Sequence, residues 1–410
     1  MAEAVAQFQK GLDQLTLLPD TPQRQWQELQ FLSHLGAALR FVKGQAAPVT
    51  GQAFARAVKL WEQLGSPSEF LHLPHGQSRY HMYRGEFDLA LRLDEELLRV
   101  SRDRCDSTGL VLGHLASGRT LMLIGELALS RLHLGNVTAL YDSVSHRSLV
   151  HQIGYYADVI SQAFLGIVCY CLGFPDEALA QSNAAIAEAR RLAHPTTLAS
   201  SLVCAIELLS LVEDNAALGE RTDELTEVVN EQGFALFGVR ATIFRGWVKA
   251  QIGDVAEGTS LLRGALSDFR TTQTKVFLPH YIALLARACE ISGEVEEASA
   301  LLDEASQIVE RTGERCLAAE LYRHKGQLLL RQGHSEAAEE LYRKALAIAR
   351  EQQAKLWELR AAVSLARLRR DQGRGAEAHN LLAPVYGWFT EGFATPDLKN
   401  AKALLEALDA

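Results

Sequence analysis

Proline is scarce in this chain, with 10 among 410 residues, while Ala and Leu abound, which favours helices over strands. Cysteine is scarce too. Cys105, Cys169, Cys171, Cys204, Cys289 and Cys316 are scattered and form no Cys-x-x-Cys pair. They read as buried free thiols in a reducing compartment, and no zinc site is expected from their spacing. No window approaches 18 uninterrupted apolar residues, so no membrane span is expected. The N-terminus lacks the basic segment and apolar run of a secretion signal, so the expected location is cytoplasmic. Excess positive charge is absent as well: the net charge is −9 and the pI ≈ 5.8. That argues against nucleic acid as a partner of the whole molecule but leaves room for a local basic patch.

Catalytic motifs are also missing. There is no G-x-x-x-x-G-K-[ST] phosphate loop, no G-x-G-x-x-G, no H-E-x-x-H and no G-x-S-x-G elbow. His72, His75 and His81 have no cysteine or carboxylate at ligand spacing and read as scattered surface histidines. Glu296–Glu297 and Glu339–Glu340 read as solvated helix faces. The expectation is a non-enzyme with no cofactor, no catalytic residue and no metal.

What is present is a period. Gly173, Glu213, Gly253, Gly293, Gly333 and Gly373 are each 40 residues apart, as are Gly85 and Gly125. An insertion of about eight residues near 141–156, holding His146, Arg147 and His151, separates the two sets. A fixed period of this size signals a solenoid of helix pairs. The glycine ends the first helix of each pair, where a positive φ is needed. Pro175 then suits the first turn of the second helix. Seven residues before the hinge stand Gly118, Gly166, Gly246, Ala286, Gly326 and Ala366; five after stand Ala90, Ala178, Gly258, Ala298, Ala338 and Ala378. Small residues on facing helices let two backbones approach closely. "AAELYRHKGQLLLRQGHSEAAEELYRKALAIAR" fits the tetratricopeptide signature best. The Glu213 unit, with Ile206 and Leu218 at the small positions, predicts a looser pair or a bend.

The fold class expected is therefore an all-α, tetratricopeptide-like superhelical solenoid of eight or nine antiparallel helix pairs. Residues 1–43 form an N-terminal half-repeat helix and a first irregular helix. Residues 44–157 form irregular repeats with the insertion, 158–394 the regular 40-residue repeats, and 395–410 a C-terminal capping helix begun by Thr395 and Pro396. The start reads as cut and the end as finished. Tyr386, Trp388 and Phe389 are expected to pack on the capping helix.

Several stretches, among them "ERCLAAELYRHKGQLLLRQG", "REQQAKLWELRAAVSLARLRRDQGR", "LLAPVYGWFTEGFATPDLKNAKALL" and "YDSVSHRSLVHQIGYYADV", resemble the C-terminal repeat region of large bacterial signalling proteins. Those proteins carry a class III adenylate/guanylate cyclase domain, a predicted ATPase and then tetratricopeptide repeats. No residue here matches the cyclase or ATPase motifs. The resemblance implies a protein-interaction or ligand-sensing region of such a system. The alternative is a regulatory oligomerisation tail of an ATP-dependent transcription activator.

A binding surface is expected on the inner wall. Residues 13, 10, 6 and 2 or 3 before each hinge form one helical stripe. Over the last four units this stripe brings Arg240, Trp247, His280, Arg287, Glu290, Glu320, Arg323, Gln327, Arg331, Arg360, Arg367, Arg370 and Asp371 together. Arginine outnumbers acid on it. The expected partner is an acidic protein or peptide, or a small anionic ligand, with Trp247 and His280 framing one end for stacking.

Overall fold

The computed structural model describes residues 2–409. Runs of periodic apolar residues bounded by turn formers become 21 α-helices, and no strand occurs among the described residues. The first are α1 (Ala2–Leu15), α2 (Pro22–Val42), α3 (Pro48–Gln63), α4 (His72–Tyr83), α5 (Phe87–Asp103), α6 (Ser107–Ile124) and α7 (Leu127–Leu140). The short α8 (Leu149–Ile153) lies within the insertion. Next come α9 (Ala157–Leu172), α10 (Pro175–Arg191), α11 (Pro195–Val212), α12 (Asn215–Gln232), α13 (Ala235–Gln251) and α14 (Val255–Thr271). The last are α15 (Leu278–Ser292), α16 (Val295–Thr312), α17 (Ala318–Arg331), α18 (Ser335–Glu351), α19 (Lys355–Asp371), α20 (Gly375–Tyr386) and α21 (Pro396–Asp409).

Each hinge residue inside a pair has a left-handed backbone, from Gly44 and Gly85 to Gly373, and Glu213 shares it with φ 63°. A second set of left-handed turns links one pair to the next. Cys105, Ala193, Gln273 and Gln353 sit there alongside Gly233 and Gly313. Cys105 is therefore exposed at a turn, whereas the other five cysteines are buried as expected.

The small residues lie where the paired helices meet. A Cβ on Gly246 would stand 2.9 Å from Gly258 O, and one on Gly326 would stand 2.7 Å from the Tyr342 ring. Ile206 and Leu218 are themselves fully buried, so the Glu213 unit is packed with larger side chains. The α11 helix is long and apolar enough to cross a membrane, but 78% of that stretch is buried inside the fold. His72 and His75 are buried rather than scattered on the surface.

The superhelix closes on itself. Lys275 N donates to Tyr83 O (2.8 Å), and Arg315 N donates to Leu123 O (2.8 Å). Helix α10 begins after Phe174, a residue that cannot cap. Its first N–H groups are met instead by Glu391: Asp176 N and Glu177 N donate to Oε1 at 3.0 and 3.1 Å. Trp388 and Phe389 reach the same place, with Trp388 edge-on to Phe174 at 5.6 Å, rather than serving only the capping helix. The first helix of each pair faces the lumen so formed.

Candidate functional site

The lumen beside α15, α17 and α19 holds a pocket of about 360 Å³. Of the ten non-acidic residues expected on one wall, it brings together Arg287, Arg323, Gln327, Arg331, Arg360 and Arg367. Four others lie elsewhere. Trp247 is 2% exposed, buried beneath the Arg287 guanidinium at 4.7 Å from its ring centroid. The His280 side chain is 10% exposed and pairs with Ser210 Oγ at 3.1 Å, so neither ring frames an open wall. Arg370 is exposed and turned to Asp371. Arg240 faces the other end of the lumen, with Arg79 and Arg119.

The pocket is not an unneutralised basic wall. Arg287 pairs with Glu213 at 2.9 Å, Arg331 with Glu290 at 2.9 Å, and Arg323 with Glu320 at 2.7 Å. Arg360 is the hub. Its Nε and Nη2 donate to the Asp397 carboxylate at 2.7 and 2.9 Å, and its Nη1 donates to Glu320 at 3.0 Å. Nη2 also donates to Leu211 O at 2.6 Å and lies 3.1 Å from Tyr170 Oη. One guanidinium thus joins α9, α11, α17, α19 and α21. These pairs correct the expectation that like charges here wait for an acidic partner. Arg367 alone among the pocket's arginines has no carboxylate within 4.0 Å among the described residues.

Burial disfavours charge on Glu320, but Arg323 and Arg360 outweigh it and hold the carboxyl well below its ordinary range. Burial, then Arg323, keeps His324 neutral; burial, then Arg287, pushes His280 down to about 3. Five arginines therefore stand against four carboxylates, Glu213, Glu290, Glu320 and Asp397. The stripe held Glu290 and Glu320 but missed Glu213 and Asp397, though Glu213 carried a signal. It is the one hinge after Gly173 that is not glycine, and a left-handed non-glycine residue costs about 1–3 kcal/mol. Here the carboxylate so placed lines the pocket.

Cys289, Glu294 and Glu297 also converge, with ligand atoms within 4.8 Å of one another. Arg263 donates to all three, including Glu297 at 2.7 Å and Cys289 Sγ at 3.8 Å, and so supplies the cation itself. In the insertion, His146 is 2% exposed, stacks on Tyr141 and lies 3.2 Å from Ser107 Oγ, which ties the loop down.

A family model described as Tetratricopeptide repeat matches residues 280–351. A curated relative, the uncharacterized protein R02095 of Rhizobium meliloti (strain 1021), is 26% identical over 201 residues. That match covers 49% of this chain but only 20% of the relative's length. Among solved structures, a Rap protein complexed with Competence and Sporulation Factor superposes with a TM-score of 0.52 at 13% identity. It covers 84% of this chain and 98% of its own. The APC/C hetero-tetramer Cut9–Hcn1 gives 0.51 at 11% identity, covering 95% of this chain and 63% of its own. Residues 280–351 thus match a tetratricopeptide-repeat model, and the solved structures share the helical solenoid fold.

Proposed function

We propose that the chain is the non-enzymatic docking and sensing region of a bacterial signalling system whose nucleotide cyclase and predicted ATPase supply the catalysis. The resemblance in "LLAPVYGWFTEGFATPDLKNAKALL" supports this context. In the relative from Rhizobium meliloti the matched stretch is about one fifth of a longer protein, which leaves room for such further domains there. The observation that carries the binding role is the lumen pocket, in which Arg367, Gln327 and Asn400 offer polar groups without an internal partner among the described residues. Its near-balanced charge suits an extended protein segment that presents backbone amides and one carboxylate opposite Arg367. A Rap protein of the same fold takes Competence and Sporulation Factor.

The test mixes this chain with the purified cyclase and ATPase portion of a protein of the resembled family. Analytical ultracentrifugation should show a complex, weakened about tenfold or more by Arg367→Glu. No complex with the natural chain, or a complex indifferent to Arg367→Glu, refutes the reading.

A further inference from the structure

The other end of the lumen holds a second cluster that shares no role with the pocket above. Arg40 comes from α2, Arg79 from α4, Arg119 from α6 and Arg240 from α13, and all four line one cavity of about 100 Å³. Arg40 and Arg119 are 3% and 4% exposed. None of the four has a carboxylate within 4.0 Å among the described residues. Arg40 Nη2 reaches only Ile153 O (3.1 Å), and Arg119 Nη2 only Tyr83 Oη (3.4 Å). The Nε atoms of Arg40, Arg79 and Arg119 are buried without a hydrogen-bond partner, and the guanidinium groups lie over ring faces: Arg40 over Phe41 at 5.5 Å, Arg79 over Tyr155 at 4.9 Å and Arg119 over Phe164 at 4.9 Å. Buried guanidinium groups left in this state are costly unless something anionic meets them.

The electrostatics agree with the geometry. Burial should raise the Tyr83 phenol, yet the charges of Arg119, Arg79 and Arg240 pull it down to about 7. Burial, then Arg79 and Arg119, keeps the adjacent His75 neutral. Tyr83 is therefore one internal group that answers the excess charge, beside Tyr155 near Arg40 and Arg79 and Glu207 near Arg240. Phe41, Phe164 and Phe237 form an apolar side of the same cavity, and the Thr196 and Ser200 hydroxyls lie on it. The Tyr83 O to Lys275 N bond seals one edge.

We propose that this cavity binds a phosphorylated small molecule, its phosphoryl oxygens held by Arg40, Arg79, Arg119 and Arg240 and its apolar part set against Phe41, Phe164 and Phe237. A phosphomonoester brings about −1.5 to −2 charges, so it offsets this cluster better than one carboxylate. Arginine's fork takes phosphate oxygens in bidentate fashion. A cavity of about 100 Å³ admits such a head group, while drug-sized ligands fill about 300–1,000 Å³, so the remainder of the molecule lies along the lumen.

The experiment titrates the full chain with pyrophosphate by calorimetry and thermal melting, with tricarballylate as a polycarboxylate control. Pyrophosphate should bind, raise the melting temperature and lower the Tyr83 phenolate absorbance near neutral pH. Tyr83→Phe should abolish that absorbance change while keeping the binding. Arg79→Gln and Arg240→Gln should each weaken pyrophosphate about tenfold or more. Without pyrophosphate, both variants should melt at or above the natural temperature, because like-charge repulsion is relieved. Three results overturn the proposal: no pyrophosphate binding, binding indifferent to both arginine variants, or tighter binding of tricarballylate. Variants that melt lower while the natural chain ignores pyrophosphate would mark a purely structural cluster.

Discussion

Two glycines on one helix should respond to the same substitution with opposite signs. Gly258 and Gly264 both lie on α14. A Cβ on Gly264 would meet nothing within 4 Å, so Gly264→Ala should gain only helix propensity, about 0.8–1.0 kcal/mol. A Cβ on Gly258 would stand 2.5 Å from Ala250 N and 2.6 Å from Gly246 O. Both neighbours are main-chain atoms of α13, so no side chain can rotate away. The helices must part by several tenths of an ångström or more, and overpacking of this kind costs about 1–3 kcal/mol. Subtracting the propensity gain leaves Gly258→Ala destabilised by about 0–2 kcal/mol, with the upper end favoured because both contacts are backbone. The two variants should differ by about 1–3 kcal/mol. Urea denaturation followed by circular dichroism measures this, with the m-value checked for constancy. If Gly258→Ala proves as stable as Gly264→Ala, the close approach of α13 and α14 is not what holds the pair.

Arg360→Met should cost about 3–5 kcal/mol, since it strands Asp397 and leaves Glu320 with fewer partners. Adding Asp397→Asn should recover much of that loss; urea melts that show under 1 kcal/mol for Arg360→Met would contradict the hub. Burial raises Asp94 to about 8 and Glu314 to about 8, so the folded state holds protons that the unfolded chain has released. Stability should therefore fall as pH rises from the ordinary carboxylate range towards 8, by about 1.4 kcal/mol per pH unit for each group. Asp94→Asn should flatten that slope, and an unchanged pH profile would refute the assignment. The purified chain should neither hydrolyse ATP nor form cyclic nucleotide; turnover abolished by a substitution within it would overturn the non-enzymatic reading.

The helix pairs were legible because glycine at Gly173, Gly253, Gly293 and Gly333 marks a backbone state that few other residues adopt. The turns between pairs were not, because Cys105, Ala193, Gln273 and Gln353 take the same left-handed state with no type-specific signal. The inner stripe brings Arg287, Arg323, Gln327, Arg331, Arg360 and Arg367 to one pocket. It failed at Trp247 and His280, since one period cannot tell which stripe residues a closing superhelix buries. One acid escaped the stripe for another reason. Asp397 reaches Arg360 from α21, a helix outside the repeat register. The buried arginine cluster was within reach of the same rule: Arg79 and Arg119 stand six residues before Gly85 and Gly125, just as Arg287 and Arg367 stand six before Gly293 and Gly373. Extending the stripe to the irregular units would have found them.

The contacts between successive turns change how the molecule should yield to force. An open solenoid, whose units touch only their neighbours, peels from its ends one unit at a time. Here Gly392 N is bonded to Asp176 across 216 residues and Tyr170 to Asp397 across 227. Pulling the termini apart must shear these bonds together before the units between them are released. The chain should therefore resist as a clasped ring, with one early rupture at high load and shorter steps after it. Refolding carries the matching burden, because long closures must form before those bonds repay their entropy.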